Sequence, residues 1–362
     1  MSLTCGIVGL PNVGKSTLFN ALSNTKAESA NFPFCTIEPN VGLVSIPDQR
    51  LLTLAKIAQS ENIVPTTIEF VDIAGLVKGA AEGKGKGNAF LSNIREVDLI
   101  IHVVRCFDDD DIIHVEGSVD VQRDISIIEY ELILKDIESL EKKIQNLSKQ
   151  SKSGDKEAKS ALDDAKELLA HLEQGNSARS FREGEVLFRE LFLLSQKPVL
   201  YACNVSEDDI VAGDNSYVQQ VTEYARSQGD ETVSFCAKIE AELAELDDDE
   251  RSMFLEELGI DQAGLARLIT AAYANLGLIT YFTAGPKEAR AWTIRSGLKA
   301  PAAAGVIHTD FERGFIRAET IAFDDYVSFN GEKGAKEAGK MRQEGKEYVV
   351  KDGDVLLFRF NV

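Results

Sequence analysis

The stretch that decides the fold of this 362-residue chain is Gly9-Leu10-Pro11-Asn12-Val13-Gly14-Lys15-Ser16. It follows an apolar run from Leu3 to Val8 and precedes a helix-like pattern. A strand, a glycine loop of this spacing and a helix, in that order, predict a phosphate-binding loop. Glycine lets the backbone wrap a polyphosphate with its N–H groups pointing inward, and the start of the helix adds a partial positive charge.

The same loop supplies candidates for phosphate and magnesium contacts. We predict that Lys15 contacts the β and γ phosphates and acts in catalysis, and that the Ser16 hydroxyl ligates Mg²⁺. Asp72 ends a predicted strand in an Asp-x-x-Gly pattern, where it is expected to hold the outer shell of waters around the magnesium. Thr36 lies between the two motifs, and its hydroxyl is predicted to reach the magnesium when a γ-phosphate is present.

Four further apolar runs predict a parallel sheet that helices cover on both faces, because each run is continuous rather than alternating. Residues 1 to about 275 therefore form a predicted α/β unit. The runs are Thr67 to Ile73, Asp98 to Arg105, Pro198 to Val205 and Thr232 to Ala237.

A helical insertion is predicted at about residues 119–175, which are rich in Glu, Lys, Leu and Ile and contain no proline. Apolar residues recur there at alternating spacings of four and three, which is typical of a coiled-coil seam. After a polar break at 151–155 the pattern returns, so two arms of an antiparallel hairpin are expected. Two ordinary amphipathic helices packed on the core remain an alternative. The seam residues are Ile133, Ile137, Leu140, Ile144, Leu147, Ala158, Ala161, Ala165, Leu168 and Leu172.

Beyond Leu278 the pattern changes to short alternating strands separated by glycine turns, which predicts a second, small α+β domain. Strands are expected at Ala289 to Ile294, Thr320 to Phe329 and Val355 to Phe360. The predicted domains are residues 1–277, with the hairpin inserted, and residues 278–362.

The base that this site prefers is predicted from the segment after the strand at 198–205. GTPases of this architecture carry Asn-Lys-x-Asp there, whereas this chain has Asn204-Val205-Ser206-Glu207. Glu207 is one methylene longer than aspartate, and Val205 replaces the lysine stem that packs over the base. The Asn204 amide is expected to pair with adenine, so ATP is favoured over GTP. The loop around Cys236 is expected to border the ring.

Two features bear on hydrolysis. Leu76 stands where many GTPases place the glutamine that orients water, so intrinsic turnover is expected to be slow. Asn12 offers an oxygen near the phosphates, where a potassium ion is a further candidate for neutralising charge. His114 follows the acidic run Asp108 to Asp111, and two interpretations stay open for it: a solvated loop histidine, or a group that positions water or stabilises charge.

Composition limits the partners. The chain has 59 acidic and 39 basic side chains, a net charge of -20, so any contact with RNA has to be local. Its five cysteines form no Cys-x-x-Cys pair, which favours neither disulfides nor zinc. Without a basic leader or a run of about 20 apolar residues, a cytoplasmic protein with no membrane partner is expected.

Together these motifs resemble the YchF or Obg-like ATPase subfamily of Obg-related NTPases. The resemblance rests on residues 9–17, on Phe32-Pro33-Phe34-Cys35-Thr36, on residues 72–79 and on the Asn-x-x-Glu segment, and it extends across the whole chain. It implies a Ras-like G domain with an inserted coiled coil and a C-terminal, ubiquitin-like TGS domain.

The resemblance also implies hydrolysis of ATP to ADP and association with ribosomes or the large ribosomal subunit. By the same comparison, residues Asn12, Val13, Gly14, Lys15, Ser16, Thr17 and Val205 contact nucleotide, and Ser16 and Thr36 ligate magnesium. RNA is expected to bind through the TGS domain and the coiled coil, since residues 331–351 carry six basic side chains against four glutamates. Two alternatives stay open: a ribosome- or RNA-binding scaffold with incidental NTPase activity, and a conventional GTPase.

Overall fold

The computed structural model describes residues 3–24, 41–73, 95, 97–152, 155–213 and 215–361. They divide into two compact units, Met1–Leu43 with Glu69–Leu268, and Val44–Ile68 with Ile269–Val362. The second unit therefore includes residues 44–68, which the predicted C-terminal domain of residues 278–362 leaves out. Thr36 and Leu76 lie outside the described residues.

The first unit is built on a six-stranded sheet whose central strands carry the predicted apolar runs. The strands are β1 Thr4–Val8, β2 Val41–Ser45, β4 Thr67–Asp72, β5 Leu99–Arg105, β6 Val199–Asn204 and β7 Glu231–Phe235. Their order is β2-β4-β1-β5-β6-β7, and the register between β1, β4, β5, β6 and β7 is parallel throughout. Strands β5 and β6 are buried at every position, which explains their continuous apolar runs.

Helices follow most of these strands, as expected for a parallel sheet with crossover connections. They are α1 Lys15–Asn24, α3 Val121–Ser151, α4 Lys156–Glu173, α5 Glu207–Ala212, α6 Ser216–Gln228, α7 Ala237–Leu243 and α8 Asp248–Leu258. The boundary between the two units falls within the next helix, α9 Gly264–Asn275. The first, α1, begins directly after the glycine loop, and the two long helices α3 and α4 stand between β5 and β6.

The two long helices, α3 and α4, form the predicted hairpin. The connection between them is only a few residues long, which makes the helices antiparallel neighbours. The seam between them is apolar and belongs to one buried cluster, whose members include Ile133, Leu140, Leu147, Leu162, Ala165, Leu168 and Leu172.

Two carboxylates, the buried Asp136 and the partly buried Glu129, fix the base of the hairpin. Asp136 accepts hydrogen bonds from Leu194 N at 2.7 Å and Ser195 N at 2.8 Å. Glu129 accepts from the hydroxyls of Tyr201 and Tyr224 at 3.0 and 2.7 Å. The inner half of α3 is therefore tied to the rest of the first unit by hydrogen bonds as well as by packing.

The second unit contains a mixed sheet and short helices. Its strands are β3 Asn62–Val64, β8 Leu278–Ala284, β9 Glu288–Arg295, β10 Phe315–Ala322, β11 Arg342–Glu344 and β12 Asp354–Phe360, in the order β11-β10-β12-β8-β9-β3. Its helices are α2 Gln49–Ala58, α10 Ala300–Ile307, α11 Thr309–Arg313, α12 Phe323–Ser328 and α13 Glu332–Glu337. The core includes Leu51 and Leu54 of α2 beside Phe282 of β8.

One strand prediction is wrong. The pattern predicts a strand from Thr320 to Phe329, but β10 ends at Ala322 and the next six residues form α12. Asp324 and Asp325 lie in the first turn of that helix, where carboxylates stabilise the free N–H groups and the helix dipole.

The described helices contain no segment with the length and hydropathy that crossing a membrane requires.

His102 offers a test of the buried sheet. Its side chain is 3% exposed in β5, and burial, with a smaller effect of the Lys15 cation, lowers its pKa from 6.5 to about 3. The folded state therefore keeps His102 neutral while the unfolded state takes up a proton as the pH falls below 6.5. Relative to wild type, His102→Phe is expected to lose about 2 kcal/mol less stability between pH 7 and pH 5.

Urea unfolding followed by circular dichroism at the two pH values measures this difference. The only tryptophan, Trp292, lies in the second unit, so its fluorescence reports the unfolding of that unit separately. His102→Gln checks that loss of the imidazole rather than gain of a larger ring is responsible. Equal pH sensitivity in wild type and both variants would contradict the assignment.

Candidate functional site

The glycine loop between β1 and α1 has the backbone shape that the motif predicts. Gly9 and Gly14 have φ values of 152° and 98°, and Asn12 adopts a left-handed φ of 61°, which Asn tolerates better than most residues. A Cβ atom at Gly9 would stand 2.5 Å from the carbonyl oxygen of Val103. Only glycine fits there without moving the backbone of β5.

Lys15 is the first residue of α1. Its ammonium donates to the carbonyl oxygens of Gly9 at 2.8 Å and Leu10 at 2.5 Å, so it is held over the loop. Burial lowers its pKa from 10.5 to about 8, an effect that the Asp72 carboxylate partly offsets. Ser16 and Thr17, exposed in the next two positions, belong to the helical turn whose N–H groups have no partner within the helix.

Asp72 ends β4 beside Lys15. Burial raises the pKa of its carboxyl, and the Lys15 cation opposes that rise. Its Oδ1 atom is buried and has no hydrogen-bond partner among the described residues. A buried carboxylate oxygen without a partner is costly, and a metal-bound water is the kind of donor that would satisfy it. The donor set of this loop therefore fits a hard cation such as Mg²⁺, which keeps several waters.

Asn204, at the end of β6, ties two loops together. Its amide Nδ2 donates to the carbonyl of Val13 at 3.0 Å, and its Oδ1 accepts from the backbone N–H of Ala237 at 2.9 Å. The residue is 4% exposed. Both polar atoms of the amide are thus used in fixing the glycine loop and the start of α7. Pairing of this amide with adenine stays a prediction, and the burial of Asn204 disfavours it.

The other residues predicted to contact the nucleotide fall into an exposed group and a buried group. Asn12, Ser16, Thr17 and Glu207 are exposed, so their side chains can meet a ligand. Val13, Val205 and Cys236 are only 2%, 3% and 3% exposed, so they shape the site from behind and would meet a nucleotide mainly through backbone atoms. These contacts remain predictions.

Glu207 begins α5 and forms an ion pair with Lys238 at 2.7 Å. Both side chains are substantially exposed, at 46% and 68%. The carboxylate at the position where GTPases read guanine is thus already engaged by a cation.

The loop between β5 and α3 lies against the glycine loop, since the Asn12 amide donates to the carbonyl of Ile113 at 3.1 Å. Arg105 organises this loop from within. Although it is 2% exposed, its guanidinium donates to three loop carbonyls, those of Phe107, Ile112 and Asp109, at 3.1, 2.8 and 3.0 Å. Sequence reasoning did not single out Arg105, although a charged residue in a continuous apolar strand is a signal that could have found it.

His114 lies in the same loop but is not solvated. Its side chain is 5% exposed, and Nε2 lies 2.9 Å from the Asp124 carboxylate. Nδ1 accepts from the backbone N–H of Glu116 at 3.2 Å. The interpretation as a solvated loop histidine is therefore wrong, and both ring nitrogens are engaged within the protein.

These features define a P-loop nucleoside triphosphatase with a G-type domain. The glycine loop lies at the carboxyl end of a parallel sheet, a lysine is held over that loop, and an acid ends the neighbouring strand. Family models support this class. One, described as a 50S ribosome-binding GTPase, matches residues 4–204, and the YchF-GTPase C-terminal model, described as a protein of unknown function, matches residues 278–361.

Curated relatives match along the full length. A protein of Bacillus subtilis (strain 168) named "Ribosome-binding ATPase YchF" is 56% identical, with 100% of each chain covered. "Obg-like ATPase 1" of Pongo abelii is 46% identical over 99% of this chain and 93% of that protein. A solved structure, "Structure of the Schizosaccharomyces pombe YchF GTPase", superposes with a TM-score of 0.86 at 39% identity, over 99% of this chain and 98% of the other. The chain belongs to the YchF family of Obg-like ATPases.

The two hydrogen bonds of Asn204 lead to a prediction. Asn204→Ala leaves the Val13 carbonyl and the Ala237 N–H without their partner, which is expected to cost about 1–3 kcal/mol of stability. Because the glycine loop loses its support and no base contact is removed, affinity for ATP and for GTP should fall by the same factor. Calorimetric titration of both nucleotides and thermal unfolding measure the two effects.

Ser206→Ala, which alters a neighbouring cap of α5, is the matched control for local stability. A loss of ATP affinity with unchanged GTP affinity in Asn204→Ala would show that the amide pairs with adenine after all.

Proposed function

We propose that this chain is an ATP-binding and ATP-hydrolysing switch that associates with the ribosome through its large subunit. The observation that carries the proposal is the lysine-capped glycine loop beside the partnerless Asp72 oxygen. Full-length relatives whose printed name is ribosome-binding ATPase support the partner. A cytoplasmic location, where the chain would meet ribosomes, is part of the proposal.

Magnesium is part of the proposal. Ser16 and Thr36 would ligate the ion, and Asp72 would accept from one of its waters. When bound, the ion neutralises charge on the β and γ phosphates. The side-chain oxygen of Asn12 is the candidate ligand for potassium, since its Nδ2 already donates to Ile113.

Lys15 is proposed to stabilise charge that develops on the transferred phosphoryl group. Its pKa of about 8 leaves it mostly protonated at neutral pH. A role for His114 in positioning water requires its loop to rearrange, because Asp124 and Glu116 occupy both ring nitrogens. That requirement, together with an apolar Leu76, agrees with slow intrinsic turnover.

ATP preference rests on the Glu207–Lys238 pair rather than on Asn204. Guanine offers two N–H donors that need a free carboxylate at the right distance. Glu207 is too long for that position and is neutralised by Lys238 at 2.7 Å. A guanine would have to compete with this exposed pair, which adds at most about 1 kcal/mol to the effect of the longer side chain, whereas adenine, which lacks the N2 amine, has no such requirement.

We expect wild type to bind ATP at least about tenfold more tightly than GTP, a difference of about 1.4 kcal/mol. The double variant Val205→Lys, Glu207→Asp should narrow or reverse this ratio, because it restores an aspartate at reading distance with a lysine stem beside it. Calorimetry on pure, folded protein measures both affinities.

Lys238→Gln is the companion variant, because it frees Glu207 without shortening it. It should improve GTP binding less than the double variant does. Tighter binding of GTP than ATP by wild type would make the chain a conventional GTPase, and binding of neither nucleotide would end the proposal.

Ribosome pelleting distinguishes the proposed switch from a ribosome-binding scaffold with incidental NTPase activity. A switch is expected to pellet with ribosomes to different extents in ATP, ADP, a nonhydrolysable ATP analogue and no nucleotide, because only differential affinity for two states moves an equilibrium. A several-fold difference between the analogue and ADP is expected. Lys15→Ala, which removes the ammonium from the glycine loop, serves as the control that should respond to none of the nucleotides. Equal pelleting of wild type in all four conditions favours the scaffold.

The proposed contact with the ribosome is with its RNA, through the C-terminal unit and the hairpin. In the C-terminal segment, however, basic residues alternate with carboxylates, and two of them are paired: Lys340 with Asp325 at 3.2 Å and Arg342 with Glu344 at 3.0 Å. The local excess of positive charge there is therefore small.

A further inference from the structure

Charge is strongly segregated along the helical hairpin. Its outer end, residues 142–152 and 155–160, which we call the hairpin tip, carries six lysines and two carboxylates. The inner parts of the same helices, residues 121–141 and 161–173, carry ten carboxylates and only three lysine or arginine side chains. The hairpin of this acidic chain therefore ends in a net positive group.

The tip lysines are available to a partner. Five of them are exposed, and none of the five forms an ion pair with a carboxylate among the described residues: Lys142, Lys149, Lys152, Lys156 and Lys159. The sixth, Lys143, is taken up by Glu190 at 2.7 Å and lies over the ring of Phe188. The inner carboxylates, by contrast, include Glu129 and Asp136, which are occupied by protein hydrogen bonds.

The acidic remainder of the protein does not cancel this charge. Helix α3 has 31 residues, so it is about 46 Å long, and the carboxylate of Asp124 lies roughly 37 Å along the helix from Lys149. The Debye length at physiological salt is about 8 Å. Asp163 lies only about 6 Å along α4 from Lys159, within this length, whereas Asp124 lies far beyond it. A polyanion that approaches the outer end of the tip therefore experiences mainly the lysines.

The side chains around the lysines distinguish between classes of polyanion. Of the apolar residues of the tip, Leu147 and Ala158 are buried and Ile144 is partly buried against the seam cluster. Gln145, Asn146 and Ser160 are exposed. A membrane-binding helix needs an exposed apolar face, which the described tip lacks. Lysine with amide and hydroxyl side chains is instead the set that contacts nucleic-acid phosphates.

We propose that the hairpin tip binds the phosphate backbone of RNA. Lys149 and Lys152 stand three residues apart at the end of α3, and Lys156 and Lys159 do so at the start of α4, so each pair lies on one face of its helix. The tip then provides two adjacent pairs of cations for neighbouring phosphates. This inference deepens the proposed function, because it assigns the ribosome contact a surface and a chemistry.

The test is a variant of the full chain with Lys149→Gln, Lys152→Gln, Lys156→Gln and Lys159→Gln. Glutamine has nearly the helix propensity of lysine, so the hairpin should stay folded and ATP turnover should stay unchanged. Binding to purified large ribosomal subunits and to a duplex RNA oligonucleotide is measured over a range of salt concentrations. We expect at least about tenfold weaker binding and a log–log salt slope shallower by about 3, as four lost phosphate contacts predict.

The control variant removes the same charge from four exposed, scattered basic side chains outside the tip and outside residues 331–351: Lys56→Gln, Lys166→Gln, Arg226→Gln and Lys287→Gln. It should bind like wild type. An unchanged slope in the tip variant, or equal losses in both variants, would overturn the inference.

Two further arms keep the outcomes distinct. If wild type binds no ribosomal subunit with any nucleotide, the proposed function fails, and duplex RNA alone then decides the inference: binding that the tip variant loses supports it, and no binding overturns it. Vesicles that contain phosphatidylserine are the third probe. Vesicle binding that depends on the tip lysines, with RNA binding unaffected, would replace RNA by a membrane and overturn the inference.

Discussion

The contact between the glycine loop and Asn204 is the constraint on which the nucleotide site depends. The Asn204 amide donates to Val13, and a Cβ atom on Gly14 would stand 2.5 Å from the same amide nitrogen. On its other side the loop has Gly9 against the carbonyl of Val103. The loop is thus held between β5 and β6, and its N–H groups are oriented before any phosphate arrives, so binding does not have to meet the cost of ordering them.

This constraint also explains which parts of the site could be predicted from the sequence. The strand, loop and helix at residues 4–24 are local, so the motif alone locates Lys15 and Ser16. The parallel strands could be predicted because their apolar runs are buried on both faces. The hairpin could be predicted from its apolar seam, although the buried cluster also contains Leu162, which the predicted seam leaves out. In each case the sequence pattern and the element that it predicts lie in the same short segment of the chain.

The parts that could not be predicted are long-range. Asn204 donates to a carbonyl 191 residues away in the sequence. Sequence periodicity cannot predict such a partner, so the motif alone leads to the prediction that the amide contacts the base. The strand β3 pairs with β9, and α2 packs beside Phe282, across more than 200 residues. Residues 44–68 therefore belong to the second unit although they lie between motifs of the first. Burial, likewise invisible in the pattern, removes His114 from solvent.

The same loop that buries His114 connects the nucleotide site with the hairpin by consecutive contacts. Asn12 of the glycine loop holds the carbonyl of Ile113, the next residue pairs with Asp124, and Asp124 lies in the first turn of α3. Arg105 fixes the loop through hydrogen bonds to three of its carbonyls, so we expect the loop to move as a rigid body. A displacement of Asn12 by a phosphate or a cation would therefore act on the beginning of a helix whose far end carries the tip lysines. Helix α3 is continuous over 31 residues and is held along its inner half by Glu129 and Asp136, so a change at its first turn would have to shift these contacts to reach the tip. This chain of contacts is the route by which the proposed nucleotide-dependent switch would alter the contact of the tip with a polyanion.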